Sequence, residues 1–148
     1  MANGAPILAR NVCGRFLGRP FDGGMRLRDG EPLFGRSKTW RGILCAVILP
    51  AVVAPVVGRS PELGAMVGAL AMAGDLFSSF IKRRLHMAPS ARAPGVDQLP
   101  EALLPAGLLR ESFALSWLEV LLAAAAFMLL GLALSGVLYT VGIRRRPH

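Results

Sequence analysis

Long apolar runs separated by short polar segments dominate this chain from residue 42 onward. Residues 42–58 are apolar throughout, and Pro50 and Pro55 within them predict a short or kinked membrane-spanning helix. Residues 63–81 predict a second span, which packs closely against its neighbours because small residues recur in it at four-residue intervals. These small residues are Gly64, Gly68, Ala65, Ala69 and Ala73.

The second half of the chain predicts a helical hairpin. Residues 82–100 form a polar loop, and the long apolar stretch that follows has one polar interruption at 110–112. The basic loop and the basic tail at 144–146 are expected on the same side of the membrane, which requires two crossings between them. We predict these crossings at about 101–116 and 118–141, which gives an all-α, polytopic membrane bundle of about four transmembrane helices.

Composition supports a membrane protein, because 53% of the 148 residues are hydrophobic and 18% are charged. The whole chain, 1–148, is interpreted as one membrane-embedded domain with a cytoplasmic N-terminal region (1–41), a helical bundle (42–143) and a basic tail (144–148). The net charge of +8 suits the cytoplasmic side of an inner or plasma membrane, with its anionic headgroups. No nucleic-acid partner is expected, since no motif for one accompanies the charge.

With this topology, three charged segments meet at the cytoplasmic face: residues 34–42, 75–84 and 94–98. They contribute cations suited to phosphate, two hydroxyl groups and two carboxylates. Magnesium typically binds through one or two carboxylates plus substrate phosphates, so this set favours phosphoryl or nucleotidyl transfer. The cations are Lys38, Arg41, Lys82 and Arg83, the hydroxyls belong to Thr39 and Ser78, and the carboxylates are Asp75 and Asp97.

Each polar residue also has a simpler, structural explanation. Asp75 can form an intramembrane salt bridge with Lys82 or Arg110, and Asp97 can cap the helix that follows it. The Ser78 hydroxyl can hydrogen-bond to backbone. Arg84, at the end of the second span, is interpreted as reaching to lipid headgroups.

Five short motifs follow one another along nearly the whole chain: ANGAP at 2–6, PFDGG at 20–24, LFGRSKTWRG at 33–42, GDLFSSFIKRR at 74–84 and PGVDQLP at 94–100. In this order they resemble the CDP-archaeol synthase family, relatives of the phosphatidate cytidylyltransferases. The resemblance implies a membrane enzyme that uses CTP and Mg²⁺ to convert a lipid phosphate to a CDP-activated lipid and pyrophosphate. An archaeol-type ether lipid phosphate and a phosphatidate-like one are both compatible with this sequence.

The resemblance also implies roles for individual residues. Asp75, Asp97 and Lys82 are expected to be catalytic, and the two aspartates are expected to hold the metal. Related chains carry an apolar helix before the ANxxP motif, so we expect one further helix to be missing here. Pro100, followed by Glu101, stands where relatives can carry another acid. Contacts with the nucleotide or lipid phosphates are expected of Asn3, Asp22, Lys38, Thr39, Arg41, Ser78, Arg83 and Gln98.

A rival interpretation is a non-catalytic small membrane protein, either a degenerate homologue or an assembly subunit, in which the charges stabilise helix packing and lipid contacts. A further alternative is an ion or solute pathway built around Asp75. That pathway is the weaker idea, because the far half of each predicted span is almost wholly apolar. Clustering of the polar residues on one face favours the enzyme.

Overall fold

The computed structural model describes residues 18–87 and 98–140, with side chains described as far as residue 133. The described part of the chain is helical, which confirms the all-α prediction, and contains four α-helices. Helix α2 packs against both α1 and α3, and α4 packs on α3. The helices are α1 (Trp40–Val53), extended by the 3₁₀ turn Ala54–Val57, then α2 (Pro61–Arg84), α3 (Gln98–Leu108) and α4 (Trp117–Thr140).

Helices α1 and α2 begin at side-chain caps. The hydroxyl oxygen of Thr39 accepts a hydrogen bond from the Gly42 N–H at 3.2 Å. Ser60 caps α2 in the same way, accepting from the Leu63 N–H at 3.3 Å, and Pro61 follows as the first helical residue, a position that it favours. These caps explain why each apolar segment becomes helical where it does.

Two glycines let α2 lie directly on α1. A Cβ atom on Gly64 would lie 2.3 Å from a carbonyl oxygen of α1, and one on Gly68 would lie 2.1 Å from another. Both distances are far below van der Waals contact, so a larger residue would force the helices apart. The prediction of close packing is confirmed for these glycines, whereas Ala69 and Ala73 lie on exposed surface.

The predicted helix at 101–116 is wrong in its extent, because α3 ends at Leu108. The chain turns after it, with Ala114 at a φ of 54°. A capping box then starts α4: the Ser116 N–H donates to Glu119 Oε2 at 2.7 Å, and the Glu119 N–H donates to Ser116 Oγ at 3.3 Å. At 11 residues, α3 is about 17 Å long, too short to cross a bilayer alone.

Large apolar side chains cover the outside of α1 and α4. Apolar surface of this extent suits contact with lipid rather than water. Within the described residues, two segments are long and apolar enough to span a membrane, Trp40–Val57 and Pro61–Arg84. The number of crossings stays a prediction.

Residues 18–39, here called the N-terminal loop, are held by backbone hydrogen bonds without forming a regular strand. The Phe21 N–H donates to the Lys38 carbonyl at 2.7 Å, and the Phe21 ring meets the Trp40 ring edge to face at 4.7 Å. Within the loop, residues 25–33 form a hairpin closed by three further backbone hydrogen bonds of 3.0 Å. The loop is therefore an ordered unit at the start of α1.

Candidate active site at one end of the bundle

An ion pair joins the N-terminal loop to α2. The Nζ atom of Lys38 lies 2.6 Å from each carboxylate oxygen of Asp75, which is 37 residues away in the sequence. The Lys38 side chain is 17% exposed and that of Asp75 is 31% exposed. A salt bridge, the structural alternative considered for Asp75, is therefore present, but with Lys38, a partner that the sequence did not predict. Both groups remain open enough to meet a ligand.

Backbone geometry fixes where Lys38 lies. Its N–H donates to the Gly35 carbonyl at 3.1 Å, and its carbonyl accepts from Phe21. Gly35 has a φ of 94°, a conformation that favours glycine. The next residue, Thr39, caps α1, and Arg41 lies half-buried in the first turn of that helix. The KTWR segment thus brings two cations and a hydroxyl to the start of α1.

The polar face of α2 extends from Asp75 toward the end of the helix. Ser78 and Ser79 follow it on that face and are 0% and 3% exposed. The Ser78 hydroxyl donates to the Asp75 carbonyl at 2.9 Å, so the backbone bond considered for it is present. Lys82, half-buried, and Arg83, buried, lie about two turns beyond Asp75, or roughly 10–12 Å along the axis.

Gly74 explains how α3 reaches this place. A Cβ atom on Gly74 would lie 2.3 Å from the Pro100 carbonyl oxygen and 2.7 Å from the Glu101 nitrogen. The crossing lies one residue before Asp75 and within the first turn of α3, so the start of α3 packs on the turn of α2 that carries Asp75. The sequence interpretation missed this residue as a site determinant, although a glycine directly before the acid of an apolar span is a usable signal.

Gln98 is described by the structure, whereas two other predicted site residues are not. Gln98 is the first residue of α3, and its side-chain nitrogen lies 2.9 Å from where a Cβ on Gly131 of α4 would be. Asn3 and Asp97 lie outside the described residues. A metal-binding role for Asp97 therefore stays a prediction, as do the phosphate contacts proposed for the other residues.

Asp22 organises the N-terminal loop. Its Oδ1 accepts from the Gly24 N–H at 2.9 Å, and its Oδ2 accepts from the N–H groups of Phe34 and Gly35 at 3.0 and 3.1 Å. Partial desolvation opposes ionisation of this carboxyl, but the three N–H donors together hold its pKa below the ordinary value. Asp22 thus has an observed structural role beside the substrate contact predicted for it.

The Asp22 contacts give the loop a pH dependence of known sign. A carboxyl whose pKa is lowered by folding stabilises the fold above its unfolded pKa, about 4. It loses that contribution as the pH falls through the folded-state pKa. We expect hydrogen-exchange protection at Phe34 and Gly35, corrected for intrinsic exchange, to fall on acidification below about pH 4. Asp22→Asn should lower this protection already at neutral pH and flatten its pH dependence. An unchanged pH dependence in Asp22→Asn would assign it to another group.

Arg84 is placed differently from its sequence interpretation. Instead of extending to lipid headgroups, its guanidinium pairs with the Asp29 carboxylate and donates to the Pro32 carbonyl at 2.9 Å. Its charge also lies 5.3 Å from the centre of the Phe80 ring. Asp29 is 55 residues away in the sequence, and no spacing rule links positions so far apart. Only the fold reveals this contact.

The residues present fit Mg²⁺ when phosphates supply part of its coordination. No group of three or more His, Cys, Asp or Glu side chains able to hold a metal occurs among the residues that the structure describes. The Asp75 carboxylate is nevertheless a hard oxygen donor, partly exposed, with lone pairs beyond those that face Lys38. Magnesium usually takes one or two carboxylates and completes its shell with substrate phosphates and water. Asp75 suits such an ion.

The fold and this cluster define an all-helical membrane protein with acidic and cationic side chains gathered at one end of its bundle. The family model described as "CarS-like: CDP-archaeol synthase" matches residues 59–147. The chain belongs to this CDP-archaeol synthase family, as its motifs predicted.

Curated relatives are also named CDP-archaeol synthase. The CDP-archaeol synthase of Hyperthermus butylicus is 39% identical over 104 residues, which are 66% of this chain and 59% of the relative. That of Thermococcus gammatolerans is 38% identical over 109 residues, covering 66% of this chain and 60% of the relative. In these matches the chain spans 59% and 60% of the relatives' length.

A solved structure supports the fold. It is described as an intramembrane enzyme for archaeal membrane lipid biosynthesis, and it matches with a TM-score of 0.65 and 32% sequence identity. The match covers 89% of this chain and 84% of the other. The predicted helical membrane fold is thereby confirmed.

Proposed function

We propose that this chain transfers the cytidylyl group of CTP to a membrane lipid phosphate and releases pyrophosphate. The observation that carries the proposal is the Lys38–Asp75 pair, which sets one acid between the cation-bearing KTWR segment and the cationic end of α2. Family membership supports the reaction type. The non-catalytic rival lacks a comparable reason for charged residues from the N-terminal loop and α2 to meet.

In the proposed reaction, an oxygen of the lipid phosphate attacks the α-phosphorus of CTP. A new P–O bond forms between the two phosphates, and the bond from the α-phosphorus to the bridging oxygen of pyrophosphate breaks. A phosphate monoester has its second pKa at about 6, so the attacking group is mostly dianionic at neutral pH and needs no general base. The reaction therefore requires positioning and charge neutralisation above all.

The cations of the site would supply that neutralisation. Lys38 and Arg41 approach from the start of α1, while Lys82 and Arg83 lie at the end of α2, so phosphates between them would meet positive charge from two sides. Mg²⁺ held by Asp75, and by Asp97 as the family implies, would offset the remaining charge of the triphosphate. We place this end of the bundle on the cytoplasmic side because of its arginines and lysines.

The lipid acceptor is proposed to be an archaeol-type ether lipid phosphate, on the strength of the family. The exposed apolar faces of α1 and α4 give its chains a place beside the bundle, within reach of the headgroup site. A phosphatidate-like acceptor is the alternative.

The test is product formation by purified protein in lipid nanodiscs. The protein is incubated with CTP, Mg²⁺ and a panel of ether and ester lipid phosphates, and CDP-lipid is sought by mass spectrometry. We expect CDP-lipid that requires both CTP and a lipid phosphate, and more of it from the ether substrates. Absence of product from every acceptor, with the helical content intact, would support the non-catalytic rival instead.

A further inference from the structure

Arg84 clamps the hairpin of the N-terminal loop onto the end of α2. Besides its pairing with Asp29, its Nη2 donates to the Pro32 carbonyl at 2.9 Å and lies 3.4 Å from the Glu31 carbonyl. Nearby, His86 Nδ1 lies 3.6 Å from the Glu31 carboxylate. One guanidinium thus holds the hairpin turn, at Asp29, and the side that follows it, at Pro32, in the forked geometry that arginine provides and lysine does not.

The clamped hairpin is connected to Lys38 through backbone hydrogen bonds. Asp22 precedes the hairpin and accepts from Phe34 and Gly35, which follow it. Gly35 in turn accepts from the Lys38 N–H, and Phe21 donates to the Lys38 carbonyl. A shift of the hairpin away from α2 would therefore move the segment that carries Lys38.

Ion pairs join the N-terminal loop to α2 at two places in the described part of the chain, on different faces of the helix. One is Lys38 with Asp75, and the other is Arg84 with Asp29. The two α2 residues are nine positions apart, or about 13–14 Å along the helix. A loop held at one point can pivot, whereas a loop held at two points has a fixed orientation.

We propose that Arg84 is a positioning residue, which fixes the N-terminal loop on α2 so that the Lys38 ammonium stays at Asp75. A contribution of Arg84 to nucleotide binding rests on the proposed function, whereas its effect on the order of the N-terminal loop does not. A role in binding lipid headgroups is disfavoured, because the Arg84 side chain is only 24% exposed and donates to loop carbonyls.

The test measures loop order without any ligand, by hydrogen exchange of the full chain in nanodiscs. Arg84→Ala and Asp29→Ala should each speed exchange at the Phe21 and Lys38 amides, which lie outside the hairpin, by roughly tenfold or more, because hydrogen bonds to a charged group are lost. Arg84→Lys keeps the charge but not the fork, so it should recover part of the protection. Arg28→Ala is the matched control, since Arg28 is exposed on the same hairpin.

A second arm uses CTP turnover if the wild type is active. Arg84→Ala should raise the KM for CTP about tenfold, in line with the lost contacts, while kcat and the melting temperature of the bundle change little.

Unchanged exchange at the Lys38 amide, faster exchange confined to the hairpin, or an equal effect of Arg28→Ala would overturn the proposal. If Arg84→Ala does not fold, exchange at the Phe21 and Lys38 amides is compared in Asp29→Ala and Arg84→Lys instead, and the same outcomes support or overturn the proposal. An inactive wild type refutes the proposed function and leaves the exchange result to decide on Arg84.

Discussion

Asp75→Asn is expected to lower CDP-lipid formation by about 100- to 1,000-fold, the loss typical when one electrostatic contact is removed from an active site. The amide keeps the shape of the side chain but removes the charge that would hold Mg²⁺ and that now pairs with Lys38. The measurement is the initial rate of CDP-lipid formation at saturating CTP. Glu111→Gln is the control for loss of one negative charge, because that side chain is 85% exposed at the surface of the bundle. It should leave the rate unchanged.

A double variant separates catalysis from simple structural support. If the ion pair only holds the N-terminal loop on α2, replacing both members by neutral residues in Lys38→Met/Asp75→Asn should restore much of what Asp75→Asn loses, since no unpaired charge is then left behind. If Asp75 or its partner Lys38 takes part in the chemistry, the double variant should fold and remain inactive. Recovery of activity in the double variant would remove Asp75 from the metal site.

Gly74→Ala is expected to destabilise the protein by about 1–3 kcal/mol, the usual cost of overpacking, and to abolish most activity. The added methyl group meets the Pro100 carbonyl oxygen at 2.3 Å, so α3 must move away from Asp75. Thermal unfolding and CDP-lipid formation are measured together.

Gly107→Ala provides a matched control for this substitution. Gly107 is also helical, but the nearest atom to its Cβ position lies 3.9 Å away. Alanine is favoured over glycine in helices by up to about 1 kcal/mol, so this variant should be neutral or more stable. The two substitutions are therefore expected to change the free energy of unfolding in opposite directions. Equal stabilities of the two variants would contradict the close crossing of α2 and α3.

Features governed by local chemistry could be predicted from the sequence. The apolar runs gave α1, α2 and α4, the spacing of Gly64 and Gly68 indicated close packing, and the helical period placed Asp75 and Ser78 on one face. The predicted end of α3 is too late, because the requirement for two crossings extended that helix through the polar interruption at 110–112. The capping box at Ser116 signals the true start of α4, and it was not used.

Features that depend on contacts between distant segments could not be predicted. Lys38 was expected near Asp75 only through the assumed topology and the family resemblance, while its direct pairing is a property of the folded loop. The Arg84 contact with Asp29 has no sequence signature, because basic residues at a helix end usually serve lipid headgroups. Ion pairs of this kind depend on how the fold places distant backbone segments relative to one another. Composition and helical periodicity do not specify that placement.

The most direct test of the central claim follows individual phosphorus atoms of CTP. Purified protein receives Mg²⁺, an ether lipid phosphate and CTP labelled either at the α-phosphorus or at the γ-phosphorus. Nucleotidyl transfer at this site predicts α-label in the lipid and γ-label in pyrophosphate, with both products lost in Asp75→Asn. Label from the γ-phosphorus in the lipid, or α-label transfer that persists in Asp75→Asn, would contradict it.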